Sequence, residues 1–237
     1  MGIGALLLVW GFWTWRWSDP VTSLYTAWQQ RQLADAYEER LSLAHDRAGL
    51  VVPEKDEAAA PDATAAVPRP ATSAVLERLR RDAMAYRRTL VAGDPIARLR
   101  VPALDLNTIV VEGTDGRDLR QGPGRHSKTF VPGEGELTYI AGHRTTFGAP
   151  FAHIDRLRPG DRAVVELPYG TLIYRVGSHR IVSATELSVL RSRGIEQVAL
   201  QACHPRFFAT QRYIVYATLE LAQLAFRGKL VTYRMKS

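Results

Sequence analysis

The chain has 237 residues, 46% hydrophobic and 23% charged, and 31 basic against 24 acidic residues give a net charge of +7 at neutral pH. That balance excludes a disordered or collagen-like chain and favours one domain with an accessory segment. A single cysteine excludes any intramolecular disulfide and any multi-cysteine metal cluster, and no basic run interleaves with aromatics as a nucleic-acid surface would, so the charge reads as a solvated face.

Residues Gly2 to Trp15 form an apolar run of 14 residues. As a helix it spans about 21 Å against roughly 30 Å of hydrocarbon core. Trp10, Trp13, Trp15 and Trp17 nevertheless crowd its end beside Arg16, as an aromatic belt does. No basic residue precedes the run and no small-residue cleavage site follows it, which fits a signal peptide poorly. Residues 1–17 are therefore expected to be an N-terminal anchor in the cell membrane, cut short at its basic cytoplasmic end. The rest of the chain would lie on the extracytoplasmic side.

Residues 18–93 read as a helix-linker-helix stalk. The stretch 22–48 has neither glycine nor proline and carries a loose stripe of Leu24, Trp28, Leu33, Tyr37, Leu41 and Ala44. Gly49 and Pro53 stop it, and residues 53–72 are Pro/Ala-rich, an extended linker. A second helix is expected over 73–92, with Val75, Leu76, Leu79, Ala83, Tyr86 and Leu90 on one side, ended by Gly93-Asp94-Pro95.

From residue 94 to 222 the pattern becomes short β-rich runs separated by turn residues. Eight strands are expected, at 97–101, 106–112, 137–142, 162–167, 171–176, 179–184, 197–203 and 212–219. A short helix falls between Pro150 and Leu157. Many short strands at regular spacing predict a mainly β fold, a sandwich or closed barrel. Residues 223–237 are left as a basic C-terminal tail.

Three polar residues sit at the ends of these strands: His143, Cys203 and Arg212. A thiol becomes a good nucleophile when an imidazole shares its proton, and the same imidazole can protonate a leaving amine. An arginine offers a fixed positive fork to an oxyanion. On residue identity alone, a buried thiol, a strand-capping histidine and a solvated arginine explain the three equally well.

The run from Tyr139 through Ala141-Gly142-His143-Arg144-Thr145-Thr146-Phe147-Gly148-Ala149-Pro150-Phe151, the later Leu200-Gln201-Ala202-Cys203-His204-Pro205, and Arg212 resemble the sortases. The likeness is strongest to the class E housekeeping type of actinobacteria. Gly122-Pro123-Gly124-Arg125-His126 and Pro132-Gly133-Glu134 resemble that family's loop before the catalytic histidine. The resemblance implies an eight-stranded β-barrel and a cysteine transpeptidase that cuts an LPXTG- or LAXTG-like sorting signal between Thr and Gly. Cys203 would be the nucleophile, His143 the acid and base, and Arg212 the oxyanion and substrate holder, with no cofactor. The implied partners are surface proteins bearing that signal, a lipid II-like peptidoglycan-precursor amine and the membrane.

One departure stands out: Ala202 occupies a position that the family usually fills with threonine. It motivates an alternative, a wall-associated binding module that keeps the barrel without the activity. Asp19-Pro20 faintly resembles the lid of pilus-polymerising sortases, although its place beside the apolar run suits a helix start. The L,D-transpeptidases also pair Cys with His, but their Ser-x-Gly-Cys context differs from Cys203-His204-Pro205.

Overall fold

The structure, a computed structural model, describes residues 20–48, 72–226 and 229–235, together with Gly4 and Gly11. Among the described residues no helix is long and apolar enough to cross a membrane. The expected anchor at 1–17 and the linker at 53–71 lie outside the described residues but for Gly4 and Gly11, and so does Asp19.

Nine strands form one sheet: β1 (Pro95–Val101), β2 (Leu106–Glu112), β3 (Gly124–Arg125), β4 (Leu137–Ala141), β5 (Arg162–Leu167), β6 (Gly170–Ser183), β7 (Gln197–His204), β8 (Gln211–Phe226) and β9 (Lys229–Arg234). Their order is β6-β5-β1-β2-β3-β4-β7-β8-β9, and an added β6–β8 pairing closes the first eight into a barrel. Leu99, Val165, Leu172, Tyr174, Val198, Leu200 and Val215 fill its interior. Each comes from an alternating strand that sends every second side chain inward.

The closed eight-stranded β-barrel follows the sequence reading, but several of its strands have other bounds than expected. The runs 171–176 and 179–184 are one strand, β6, which bends at an irregularity between Val176 and Ser178 instead of ending at Gly177. Strand β3 has two residues, too few to show a period. The supposed tail from 223 onward completes β8 and returns as β9, with Leu224 and Tyr233 buried. In place of the short helix after Pro150 there is a single 3-10 turn, Ile154–Arg156.

The supposed stalk is packed on the barrel. Helix α1 (Pro20–Ala48) buries Leu33, Tyr37 and Leu41 against Ile109 and Val111 of β2. The Tyr37 hydroxyl donates to Glu166 O at 2.7 Å. Gln30 donates to Ile109 O and Gln121 O and accepts from Ile109 N and Thr108 Oγ1. Arg40 pairs with Asp94 at 3.1 Å. Burying one such aromatic is worth about 2 kcal/mol, so three buried apolar positions at four-residue spacing hold a helix whose other faces are wet. Leu24 and Trp28, the first part of the expected stripe, stay exposed.

Helix α2 (Thr72–Arg87) sends Val75 and Leu79 into the barrel's main core and buries Ala83 beside them. Its approach depends on Gly133, at φ +101°, where an added Cβ would meet Leu79 Cδ1 at 2.9 Å. The loop carrying Gly133 is clamped by Glu196, whose carboxylate accepts from Gly133 N (2.8 Å), Gly135 N (2.6 Å) and the Tyr174 hydroxyl (2.6 Å). Desolvation outweighs these bonds and raises the Glu196 carboxyl to about 7.

Candidate active site

The site grows from the register of three strands. Parallel β4 and β7 pair Leu137 with Gln197 and Ala141 with Gln201, the same offset that separates His143 from Cys203. Gly142 N extends the pairing with a 2.9 Å bond to Gln201 O. Antiparallel β7 and β8 place Cys203 opposite Arg212. Cys203 and Arg212 are thus paired across β7 and β8, turned by alternation to the outer face, and the β4 register carried on through Gly142 brings His143, two residues past the strand, to the same rim.

The same alternation settles the place of Ala202. It is fully buried among the interior residues of the barrel, on the face opposite the thiol. Its side chain therefore contributes to packing inside the barrel rather than to the polar surface around Cys203.

His143 is half-buried, and its Nε2 is buried without a hydrogen-bond partner. Burial first, and then the positive field of Arg120, push its imidazole below the ordinary value near 6.5. It is thus neutral at neutral pH and able to accept a proton. Its ring lies 5.1 Å from that of Phe147, which is itself covered by the Arg120 guanidinium at 5.8 Å. Helix α1 supports this wall, because the Thr22 hydroxyl accepts from Phe147 N at 3.1 Å. Gly142 must be glycine, since a Cβ there would meet the Phe151 ring at 2.6 Å.

Cys203 is a half-buried free thiol. Arg212 Nη1 donates to Ala209 O (2.8 Å) and Gln211 O (2.9 Å), which fixes the guanidinium over the loop between β7 and β8. Among the described residues, four of the five non-glycine positions at positive φ flank this rim: Phe147 and Ala149 in one loop, Phe207 and Ala209 in the other. Such strain persists only where the surroundings over-determine it, and it is commonest at functional sites.

Arg144 belongs to the site although no chemical role for it is legible in the sequence. It is 5% exposed. Its Nη1 contacts Cys203 O (3.2 Å) and His204 Nδ1 (2.9 Å), its Nη2 donates to Asp155 Oδ1 (2.8 Å), and its guanidinium stands 5.8 Å from the Tyr213 ring. One cation thereby ties the residue after the histidine to the backbone of the cysteine. A charged residue within a strand-end motif reads as solvated until the fold shows Asp155 and the Cys203 carbonyl beside it.

Deeper in the barrel, Arg125 of β3 pairs with Glu112 of β2, Nε to Oε2 at 2.8 Å, and donates to the Thr129 carbonyl. This buried pair stitches β2, β3 and the loop before β4, the strand that presents His143. Among the described residues no cluster of His, Cys, Asp and Glu has the makings of a metal site.

Comparison with known proteins gives a consistent picture. A sortase-domain family model matches residues 99–220. The chain is 30% identical over 122 residues to Sortase D of Bacillus subtilis, covering 50% of this chain and 60% of that protein. It is 29% identical over 153 residues to Sortase SrtE1 of Streptomyces coelicolor, covering 58% and 44%. The matches thus span less than two thirds of either relative. Among solved structures, Sortase E1 from Streptomyces coelicolor, determined with a tripeptide in its active site, superposes with a TM-score of 0.54 at 28% identity, covering 60% of this chain and 97% of that one. A Clostridium perfringens Sortase D5 transpeptidase has a similar fold, with a TM-score of 0.52 at 24% identity, covering 62% of this chain and 98% of that one.

Proposed function

The chain belongs to the sortase family, and from that premise we propose that it is a membrane-anchored cysteine transpeptidase. It cuts an LPXTG- or LAXTG-like C-terminal sorting signal between Thr and Gly and passes the protein to an amine of a peptidoglycan precursor. The observation that carries this reading is the convergence at one rim of His143, two residues past β4, with Cys203 of β7 and Arg212 of β8.

In the first half-reaction the Cys203 thiol gives its proton to His143 and attacks the Thr carbonyl carbon. The oxyanion is held by Arg212. The C–N bond breaks as His143 returns the proton to the departing glycine amine, leaving a thioester on Cys203. In the second half, His143 takes a proton from the incoming amine, which attacks the thioester and expels the Cys203 sulfur. No cofactor takes part. The unpartnered Nε2 of His143 is suited to this exchange, because catalytic hydrogen bonds commonly tighten only when substrate is bound.

Within the family we assign class E. The support is the Ala141-Gly142-His143-Arg144-Thr145-Thr146-Phe147-Gly148 motif and the likeness to the Streptomyces SrtE1 protein. Residues 1–17 anchor the chain in the cell membrane, with the barrel outside the cytoplasm; the tryptophan cluster at 10–17 is what supports this placement.

The test is cleavage of a fluorogenic sorting-signal peptide by the full chain in detergent, beside Cys203→Ala. The expected result is turnover by the parent alone. Equal signals from both, or none from the parent with either the Leu-Pro or the Leu-Ala form, would reject the reading.

A further inference from the structure

The outer face that carries the catalytic row continues along the same strands. One row behind it lie Gln201, Ile214 and Arg180, and the next holds Ala199, Tyr216 and Ser178. The segment between β6 and β7 folds over this face, with Val189 packed on Leu137, Tyr139, Ala199 and Ile214. Where it does so it encloses a cavity of about 160 Å³ that Arg180, Arg191 and Arg193 line together with Tyr216.

None of the three arginines makes an ion pair among the described residues. The acid that feels Arg180, Glu186, accepts from Ser188 N at 3.0 Å, forms no ion pair with that arginine and does not line the cavity. The cavity lining contains no acidic residue. Three arginines around one small cleft, none of them ion-paired among the described residues and with no carboxylate in the lining, are complementary to an anion and repel a cation.

Distance and direction identify the occupant. Counting back along β7 from Cys203 to Ala199 and Gln197 gives roughly 13 to 20 Å, the reach of about four to six extended residues. The acyl half of the substrate must stay bound while one amine leaves and another arrives. It is therefore the half that occupies the long floor of the sheet, and the amines use the open rim beside His143.

We propose that Arg180, Arg191 and Arg193 form a carboxylate-recognising subsite for the stretch of the polypeptide substrate just N-terminal to the sorting motif, four to six residues before the scissile threonine. The subsite rests on the transpeptidase reading and narrows its substrates to proteins with Asp or Glu at those positions. Because the contact is made equally before and during reaction, it lowers KM and leaves kcat unchanged.

The experiment compares matched sorting-signal peptides carrying three acidic, three alanine or three lysine residues upstream of one motif. It uses the full chain and Arg191→Ala/Arg193→Ala, at low and high salt. The acidic peptide should show a KM about three- to tenfold below that of the alanine peptide, with lysine worst. The double variant and high salt should both erase the difference. Fluorescence anisotropy with Cys203→Ala reports the same ranking as binding without turnover, so loss of catalysis and loss of charge preference are read separately. Equal KM and equal binding for the three peptides, or a preference that survives in the double variant, would overturn the subsite.

Discussion

Arg144 separates two ways of holding a nucleophile. Position alone fixes a cysteine at a strand end to within the play of its backbone, whereas a buried guanidinium bonded to the Cys203 carbonyl and to Asp155 fixes that backbone against the loop of His143. Removing it should loosen the Cys203–His143 geometry without touching the substrate. A misplacement near 1 Å can cost about a hundredfold in rate. Arg144→Met should therefore lower kcat by roughly ten- to a hundredfold with KM nearly unchanged, and Arg144→Lys should recover part of it; steady-state kinetics on the sorting-signal peptide decide. A KM effect alone would make Arg144 a substrate contact instead. His143, Cys203 and Arg212 are legible in the sequence because each is a polar residue ending or opening an apolar run. Arg144 is not, because its partners come from segments 11 and about 60 residues away.

At the scale of elements, the loop before β4 is held by a carboxylate whose ionisation is displaced. Glu196 has its carboxyl raised to about 7 by desolvation, against about 4.3 for a solvated glutamate. Between those values the folded protein holds a proton that the unfolded chain has released. Stability from this group therefore falls as pH rises from about 4.5 to 7 and is level above. In thermal unfolding followed from pH 5 to 7.5, Glu196→Gln should flatten the downward slope of the parent. Equal slopes would show that the group is not titrating in that window. Elements also show what periodicity can and cannot reveal. The eight-residue β7 turns Val198, Leu200 and Ala202 inward, while Ala199 and Gln201 between them are also buried, on the outer face. The two-residue β3 cannot show a period, and β6 conceals its unity behind the irregularity near Gly177.

At the scale of the whole molecule, the segment that reads as a stalk is part of the globule. The stripe on α1 is loose in sequence because, of its apolar residues, it is Leu33, Tyr37 and Leu41 that are buried against the barrel. Leu24 and Trp28 dilute the signal while remaining exposed. What the sequence could not convey is that a helix with three buried apolar positions also reaches, through Thr22, the wall behind His143. The fold thus joins a β-barrel, two docked helices and the rim of His143, Cys203 and Arg212 into one unit, and the proposed transpeptidation requires that unit to carry an acyl group on Cys203.

The most direct measurement is the intact mass of the full chain mixed with a sorting-signal peptide and stopped in acid. The account predicts an added mass equal to the peptide's acyl part through threonine, located on Cys203 by proteolysis and released by hydroxylamine. It should be absent in Cys203→Ala and reduced in His143→Ala. An unmodified chain alongside cleaved peptide, or an adduct that persists in Cys203→Ala, would contradict it.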